Sequence, residues 1–63
     1  MDNHYIAADG LQIEREHGGY DGITYEFIVS EPCGNVHFPR DLEEMLAWTE
    51  DAEREEIRQY FTE

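Results

Sequence analysis

The hydrophobic positions follow a period of two in the first part of the chain and a helical period in the last part. The segment from Ile23 to Ser30 has the clearest strand pattern. Its odd-numbered side chains would lie on one face of a strand and its even-numbered side chains on the other, and most of its residues are β-branched or aromatic. Shorter strands are predicted at residues 5–7, 11–16 and 36–38, with turns at Asp9-Gly10, at 18–22 and at 31–35. Residues of about 4–38 should therefore form an antiparallel meander with one buried face.

A helical pattern begins at Asp41, where Asp41-Leu42-Glu43-Glu44 has the form of a capping box. One helix over residues 41–61 would be about 31 Å long, which exceeds the diameter of about 27 Å of a compact chain of this length. Thr49-Glu50-Asp51 also has the composition of a new helix start. We therefore expect two short helices separated near Trp48–Thr49, with one continuous helix as the alternative.

These patterns predict one α+β domain over residues 1–63. An antiparallel sheet of three to four strands should pack against one or two C-terminal helices. Trp48 and Phe61 lie off the apolar stripe of the helical region, so each fits either a secondary part of the core or an interface. Trp48 is expected to join the core, and Phe61 is left undecided. The predicted core comprises Ile6, Leu11, Ile13, Tyr25, Phe27, Val29, Leu42, Met45, Leu46, Ile57 and Tyr60.

Composition adds a strong charge imbalance to this picture. The chain has 16 acidic residues against 4 basic ones, all arginine, for a formal net charge of −12. B-form DNA carries about 16 phosphates over about 27 Å of its axis, so the protein and such a duplex segment have charges of the same order. Nucleic acid and anionic membranes should both repel this chain.

The sequence contains no recognisable catalytic or metal-binding motif. Cys33 and His37 form one loose pair, whereas a structural zinc site needs four ligands. Asp9-Gly10 and Asp21-Gly22 lack the alternating acids of a calcium loop and fit turns instead. Ser30 has no nucleophile elbow around it, and a chain this short has little room for a substrate pocket. We expect no enzyme activity, no cofactor and no metal site.

The acidic residues are the main functional signal. Carboxylates on rigid elements can present negative charge in place of phosphates, and arginine or lysine in a nucleic-acid groove would pair with them. We therefore predict an inhibitor that binds a basic nucleic-acid-binding protein and not nucleic acid itself. The predicted contacts are Glu43, Glu44, Glu50, Asp51 and Glu55, with Glu14, Glu16 and Glu26 if the sheet edge faces the same way.

Two other hypotheses remain open. The protein would be a small regulatory or antitoxin-like interaction module if it binds through its aromatic side. It would be a halophilic acidic domain if the charge is an adaptation to salt. Residues 1–5 lack the basic and apolar regions of a signal peptide, which predicts a cytoplasmic protein, and either a monomer or a homodimer fits its size.

The acidic pairs and runs at Glu43-Glu44 and at residues 50–56 also carry a resemblance. In size, acidity and predicted architecture, the chain resembles the small phage-encoded anti-CRISPR proteins that mimic DNA. The resemblance covers the overall character of the chain, and that group shares no motif from which residue roles can be transferred. It implies binding to a Cas protein or a Cascade-type complex in the host cytoplasm, with DNA binding or PAM recognition blocked.

Overall fold

The sheet is a four-stranded antiparallel meander, in the order β1-β2-β3-β4. The computed structural model describes residues 3–62, so the two ends of the predicted domain, residues 1–2 and 63, lie outside the described residues. Two helices follow the sheet in the chain, which confirms the predicted α+β class. The elements are β1 (His4–Ile6), β2 (Gln12–Tyr20), β3 (Ile23–Ser30), β4 (Val36–His37), α1 (Leu42–Leu46) and α2 (Asp51–Thr62).

The turn between β2 and β3 is tighter than the sequence pattern indicated. A loop was expected over residues 18–22, but β2 continues through both glycines to Tyr20 and only Asp21 and Gly22 form the turn. Both have positive φ, 48° and 77°, as a two-residue hairpin turn of type I′ requires. Gly18 is needed for packing instead, because a Cβ there would lie 2.5 Å from the Tyr25 hydroxyl.

The core lies between the sheet and the helices. Ile13, Phe27 and Val29 from the sheet are buried against residues of both helices, and the Phe27 and Phe61 rings meet edge to face with centroids 5.3 Å apart. Phe61, which the sequence left undecided, is therefore core. The buried apolar residues are Ala7, Leu11, Ile13, Phe27, Val29, Met45, Leu46, Ile57 and Phe61, with Tyr5, Leu42 and Tyr60 packed against them.

Two predicted core residues are exposed. Ile6 is 61% exposed because its neighbour Tyr5 pairs with Ile13 on the core side of the sheet, so alternation places Ile6 on the opposite face. Trp48 is 44% exposed because it follows the last turn of α1, in the connection to α2. Tyr25 is half-buried.

The helical region is divided as predicted, with α1 ending at Leu46 and α2 beginning at Asp51. Asp41 caps α1, since its carboxylate accepts a hydrogen bond from the Glu44 backbone amide at 2.8 Å. Arg54 supplies hydrogen-bond donors at the C-terminal end of α1. Its Nε donates to the Leu46 carbonyl at 3.0 Å and its Nη2 to the Thr49 carbonyl at 2.7 Å. Helix C-terminal carbonyls lack intrahelical donors, so Arg54 stabilises the break together with the Thr49 hydroxyl, which donates to the Leu46 carbonyl at 2.6 Å.

Candidate functional site

The carboxylates lie on the surface of the folded chain. Within residues 3–62, every acidic side chain is exposed except those of Glu31 and Glu53, which are half-buried. The molecule has a radius of gyration of 11.1 Å and extents of 34 × 29 × 19 Å. The negative charge is therefore displayed over a compact body about as large as the sequence predicted.

The predicted contact residues of the helical region are all exposed, with Glu50 in the connection between α1 and α2, but they differ in what they contact. Glu43 pairs with Arg58, and a hydrogen bond from that guanidinium is the main reason that the pKa of Glu43 is lowered. Asp51 lies 2.6 Å from Nη1 of Arg54, and Glu55 lies 3.6 Å from Nε of Arg58.

Glu44 and Glu50 are the two predicted helical contacts that lack a cationic partner within residues 3–62. Both are exposed. Because no arginine or histidine of the described chain competes for them, these two carboxylates are free to pair with an external cation.

The predicted contact residues on the sheet face a different direction. Glu14 pairs with Ile28 across the strands, one position from the core pair Ile13 and Val29, so Glu14 lies on the face opposite the helices. Glu26 alternates with Phe27 and lies on that same outer face, where its carboxylate is 3.2 Å from Nδ1 of His17. Glu16 is exposed at the irregularity between Arg15 and Gly18. A flat partner that covers the helices would thus leave Glu14 and Glu26 uncovered.

Three of the four arginines are tied into internal contacts. Arg15 reaches from β2 to the Phe61 carbonyl near the end of α2, and its guanidinium lies 5.3 Å from the centre of the Phe27 ring. Arg54 and Arg58 join α2 to the α1 region as described above. These arginines therefore hold the elements together, and Arg54 and Arg58 also pair with three exposed carboxylates of the helical region.

Two glutamates have a structural role that the sequence pattern did not reveal. Glu53 and Glu56 lie among the apolar positions of α2 because their carboxylates accept hydrogen bonds from the β1 region. The Tyr5 hydroxyl donates to Glu56 at 2.7 Å, and the Ala8 amide donates to Glu53 at 3.0 Å. The hydrogen bond to Glu56, followed by burial and nearby charge, raises the pKa of Tyr5 to about 12.

A shallow aromatic groove of about 290 Å³ lies beside α1. Residues 36–39 line it together with Tyr20, Glu44 and Trp48, and this set is called the aromatic groove below. The Trp48 indole stacks on the His37 ring with centroids 3.8 Å apart and planes 16° apart. The groove therefore combines partly exposed aromatic side chains with one of the unpaired carboxylates.

A hydrogen bond with Glu31 fixes the position of His37 in the aromatic groove. Its Nε2 lies 3.0 Å from the Glu31 carboxylate, and the hydrogen bond between them is the largest cause of the lowered pKa of Glu31. Phe38 meets Tyr25 at a centroid distance of 5.0 Å and Tyr20 at 5.8 Å. These contacts order the aromatic side chains although Tyr20, Phe38 and Trp48 are all exposed.

Sequence reasoning did not assign the aromatic groove to the candidate site. It placed Trp48 in the core and made no assignment for Tyr20 or Phe38 as exposed side chains. The available signal was that Trp48 lies off the apolar stripe of the helical region, which also fits an interface residue.

Comparison of the chain with protein-family models, curated proteins and solved structures finds no significant match to any of them. Neither helix within residues 3–62 has the length and apolar character required to cross a membrane. The same residues contain no group of three or more His, Cys, Asp and Glu side chains placed to hold a metal ion. The candidate site is therefore defined by its own geometry, as an acidic surface with an adjoining aromatic groove.

Proposed function

We propose that this protein is a DNA mimic that inhibits a nucleic-acid-binding protein by covering its basic surface. The observation that carries the proposal is the separation of charge within the fold. Nearly all described carboxylates are exposed, whereas three of the four arginines are used in contacts between elements. A surface of this kind attracts a cationic groove over several ångströms and repels other polyanions.

The charge density supports mimicry of a duplex in particular. The longest extent of the molecule is 34 Å, and B-form DNA carries about 20 phosphates over that length of axis. The net charge of −12 is of the same order. Arginine and lysine side chains that contact phosphates would meet carboxylates that accept the same charge-assisted hydrogen bonds.

The finer form of the proposal concerns the partner. The resemblance to small acidic anti-CRISPR proteins supports a Cas protein or a Cascade-type complex as the target, with DNA binding or PAM recognition as the blocked step. Both would occur in the cytoplasm of the host cell.

Displacement of DNA from a candidate effector tests the proposal. A guide-loaded Cas effector would be incubated with a fluorescent target duplex, and anisotropy would report release of the duplex as the protein is added. We expect competitive displacement at low salt. Continued binding of the duplex at saturating protein, across single-chain and Cascade-type effectors, would reject the CRISPR assignment. The same result with other nucleic-acid-binding proteins would reject DNA mimicry.

A matched pair of double variants locates the contact face. One variant, Glu44→Lys/Glu50→Lys, alters the helical region, and the other, Glu14→Lys/Glu16→Lys, alters β2. Both change the net charge by the same amount, and neither removes an ion pair within residues 3–62. If the helices form the contact, the first variant should weaken displacement by about tenfold or more and the second by only about two- to threefold, because charge pairs within a contact contribute more than charges outside it. Equal losses would mean that net charge alone determines binding, without a defined contact face.

A further inference from the structure

We infer that the aromatic groove binds an arginine side chain of a basic partner. The inference rests on the proposed function for the character of the partner, and it adds a specific subsite to the general attraction between charges. The evidence is the arrangement of Trp48, Phe38 and Tyr20 around a small depression that also contains the Glu44 carboxylate.

The exposure of these aromatic side chains calls for an explanation. Trp48 is 44% exposed and Tyr20 51% exposed, in a chain with one tryptophan and a small core. Burial of either ring would contribute more to stability than its present position does. Instead, the stack of Trp48 on His37 and the edge contact of Phe38 with Tyr20 order the rings at the surface. Ordered and exposed aromatic rings are typical of a recognition surface.

The size and charge of the aromatic groove restrict its occupant. About 290 Å³ lies at the lower limit for small-molecule sites and suits one side chain rather than a cofactor. A cation is favoured because aromatic faces attract positive charge and Glu44 supplies a free carboxylate. A guanidinium fits better than an ammonium, since it can stack flat on a ring while its N–H groups donate to a carboxylate.

A second copy of this chain is a poor occupant of the aromatic groove. Each copy carries a net charge of −12, so two copies repel each other most strongly at low salt. A basic segment from a nucleic-acid-binding protein gains from the same field. Charge complementarity thus favours an arginine of a basic partner over self-association.

Short peptides test the groove without any partner protein or DNA. Tri-arginine, tri-lysine and the neutral isostere tri-citrulline would be added separately to the intact protein. Trp48, the only tryptophan, reports binding by fluorescence, and two-dimensional NMR maps the affected amides. We expect tri-arginine to shift the Trp48 signals and the backbone amides of residues 36–38 at low salt. Tri-lysine should bind several-fold more weakly, and tri-citrulline should have no effect. Equal binding of all three peptides, or equal binding of tri-lysine and tri-arginine, would overturn the arginine subsite.

Matched charge variants separate the groove from the general acidic surface. Glu44→Gln should weaken tri-arginine binding about two- to fivefold, whereas Glu50→Gln, with the same change in net charge and no position in the groove, should have a smaller effect. Equal effects, with shifts spread along α2, would refute the inference.

The two proposals can fail independently. If tri-arginine binds the groove but no DNA is displaced from any effector, the subsite stands and mimicry falls. If DNA is displaced equally well by Trp48→Ala and by the unchanged protein, with circular dichroism confirming that the variant is folded, mimicry stands and the groove is not part of the contact. Phe38→Leu serves the same purpose if Trp48→Ala fails to fold.

Discussion

At the scale of single residues, Tyr5 shows that some carboxylates of this acidic chain stabilise its fold. Its hydroxyl donates to Glu56 at 2.7 Å and lies 3.4 Å from Glu53, so β1 is joined to α2 by hydrogen bonds as well as by packing. The Tyr60 hydroxyl makes a parallel link by donating to the His4 carbonyl at 2.8 Å. The first strand has only three residues, so these side-chain bonds fix the position of a short edge strand.

The substitution Tyr5→Phe should lower the free energy of unfolding by about 1 kcal/mol at pH 8, because one charge-assisted hydrogen bond is lost. The pKa of Tyr5 is raised from 10.0 to about 12 in the folded state. The stabilisation is therefore complete below pH 10 and is lost as pH rises through about 12. Urea unfolding at pH 8 and pH 11 measures it, with Tyr20→Phe as a control that should show no comparable loss. If the free energies of unfolding of Tyr5→Phe and the unchanged protein differ by the same amount at pH 8 and pH 11, the hydrogen bond to Glu56 is not the source of the stabilisation.

At the scale of elements, the break between α1 and α2 depends on Arg54. This side chain donates to two main-chain carbonyls and lies 2.6 Å from Asp51, at a corner where Thr49 is buried. Arg54→Lys keeps the charge but loses the planar fork of donors. We expect a loss of about 1–2 kcal/mol in the free energy of unfolding. Arg40→Lys, at an exposed position with no recorded partner within residues 3–62, should change it by less than about 0.5 kcal/mol.

Thermal and urea unfolding of both lysine variants would decide the point. Equal small effects would show that the Arg54 hydrogen bonds contribute little, and that core packing and the Thr49 hydrogen bonds to Leu46 hold the corner. A selective loss in Arg54→Lys, together with weaker protection of the Trp48 and Thr49 amides from hydrogen exchange, would locate the destabilisation at the break between the helices.

The elements also show what the sequence can and cannot predict. The break near Trp48–Thr49 was predictable, because the length of one helix and the new start at Thr49-Glu50-Asp51 are both local signals. The exposure of Ile6 was not, because a three-residue strand can present either face until its pairing with β2 is known. The extension of β2 through Gly18 and Gly19 also depends on a cross-strand contact, since Gly18 leaves room for the ring of its partner Tyr25.

The candidate site could likewise be predicted from the sequence only in part. The free carboxylates Glu44 and Glu50 follow from composition and helix pattern, and so does their exposure. Their lack of partners could not be predicted, because it depends on where Arg54 and Arg58 reach in three dimensions. The aromatic groove was hidden for the same reason, since Tyr20 and Trp48 are far apart in the chain and only the fold brings them to one depression.

At the scale of the whole molecule, stability and binding should respond to salt in opposite directions. The folded chain confines a net charge of −12 within extents of 34 × 29 × 19 Å. The screening length falls from about 30 Å at 0.01 M salt to about 8 Å at 0.15 M. Repulsion across the whole molecule is thus felt at the lower concentration and largely screened at the higher. Unfolding moves the charges apart, so the free energy of unfolding should rise as salt is added.

We predict that sodium chloride stabilises the protein between 0.01 and 0.15 M while it weakens binding to a basic partner. Glu44→Lys/Glu50→Lys should be as stable as the unchanged protein or more stable, with a smaller dependence on salt, because part of the repulsion has been removed. Urea unfolding and anisotropy in the same salt series measure the two quantities. Binding that persists at about 0.5 M salt would favour an apolar interaction module over charge mimicry. Folding that requires molar salt would favour the halophilic domain, because repulsion alone is already screened well below that concentration.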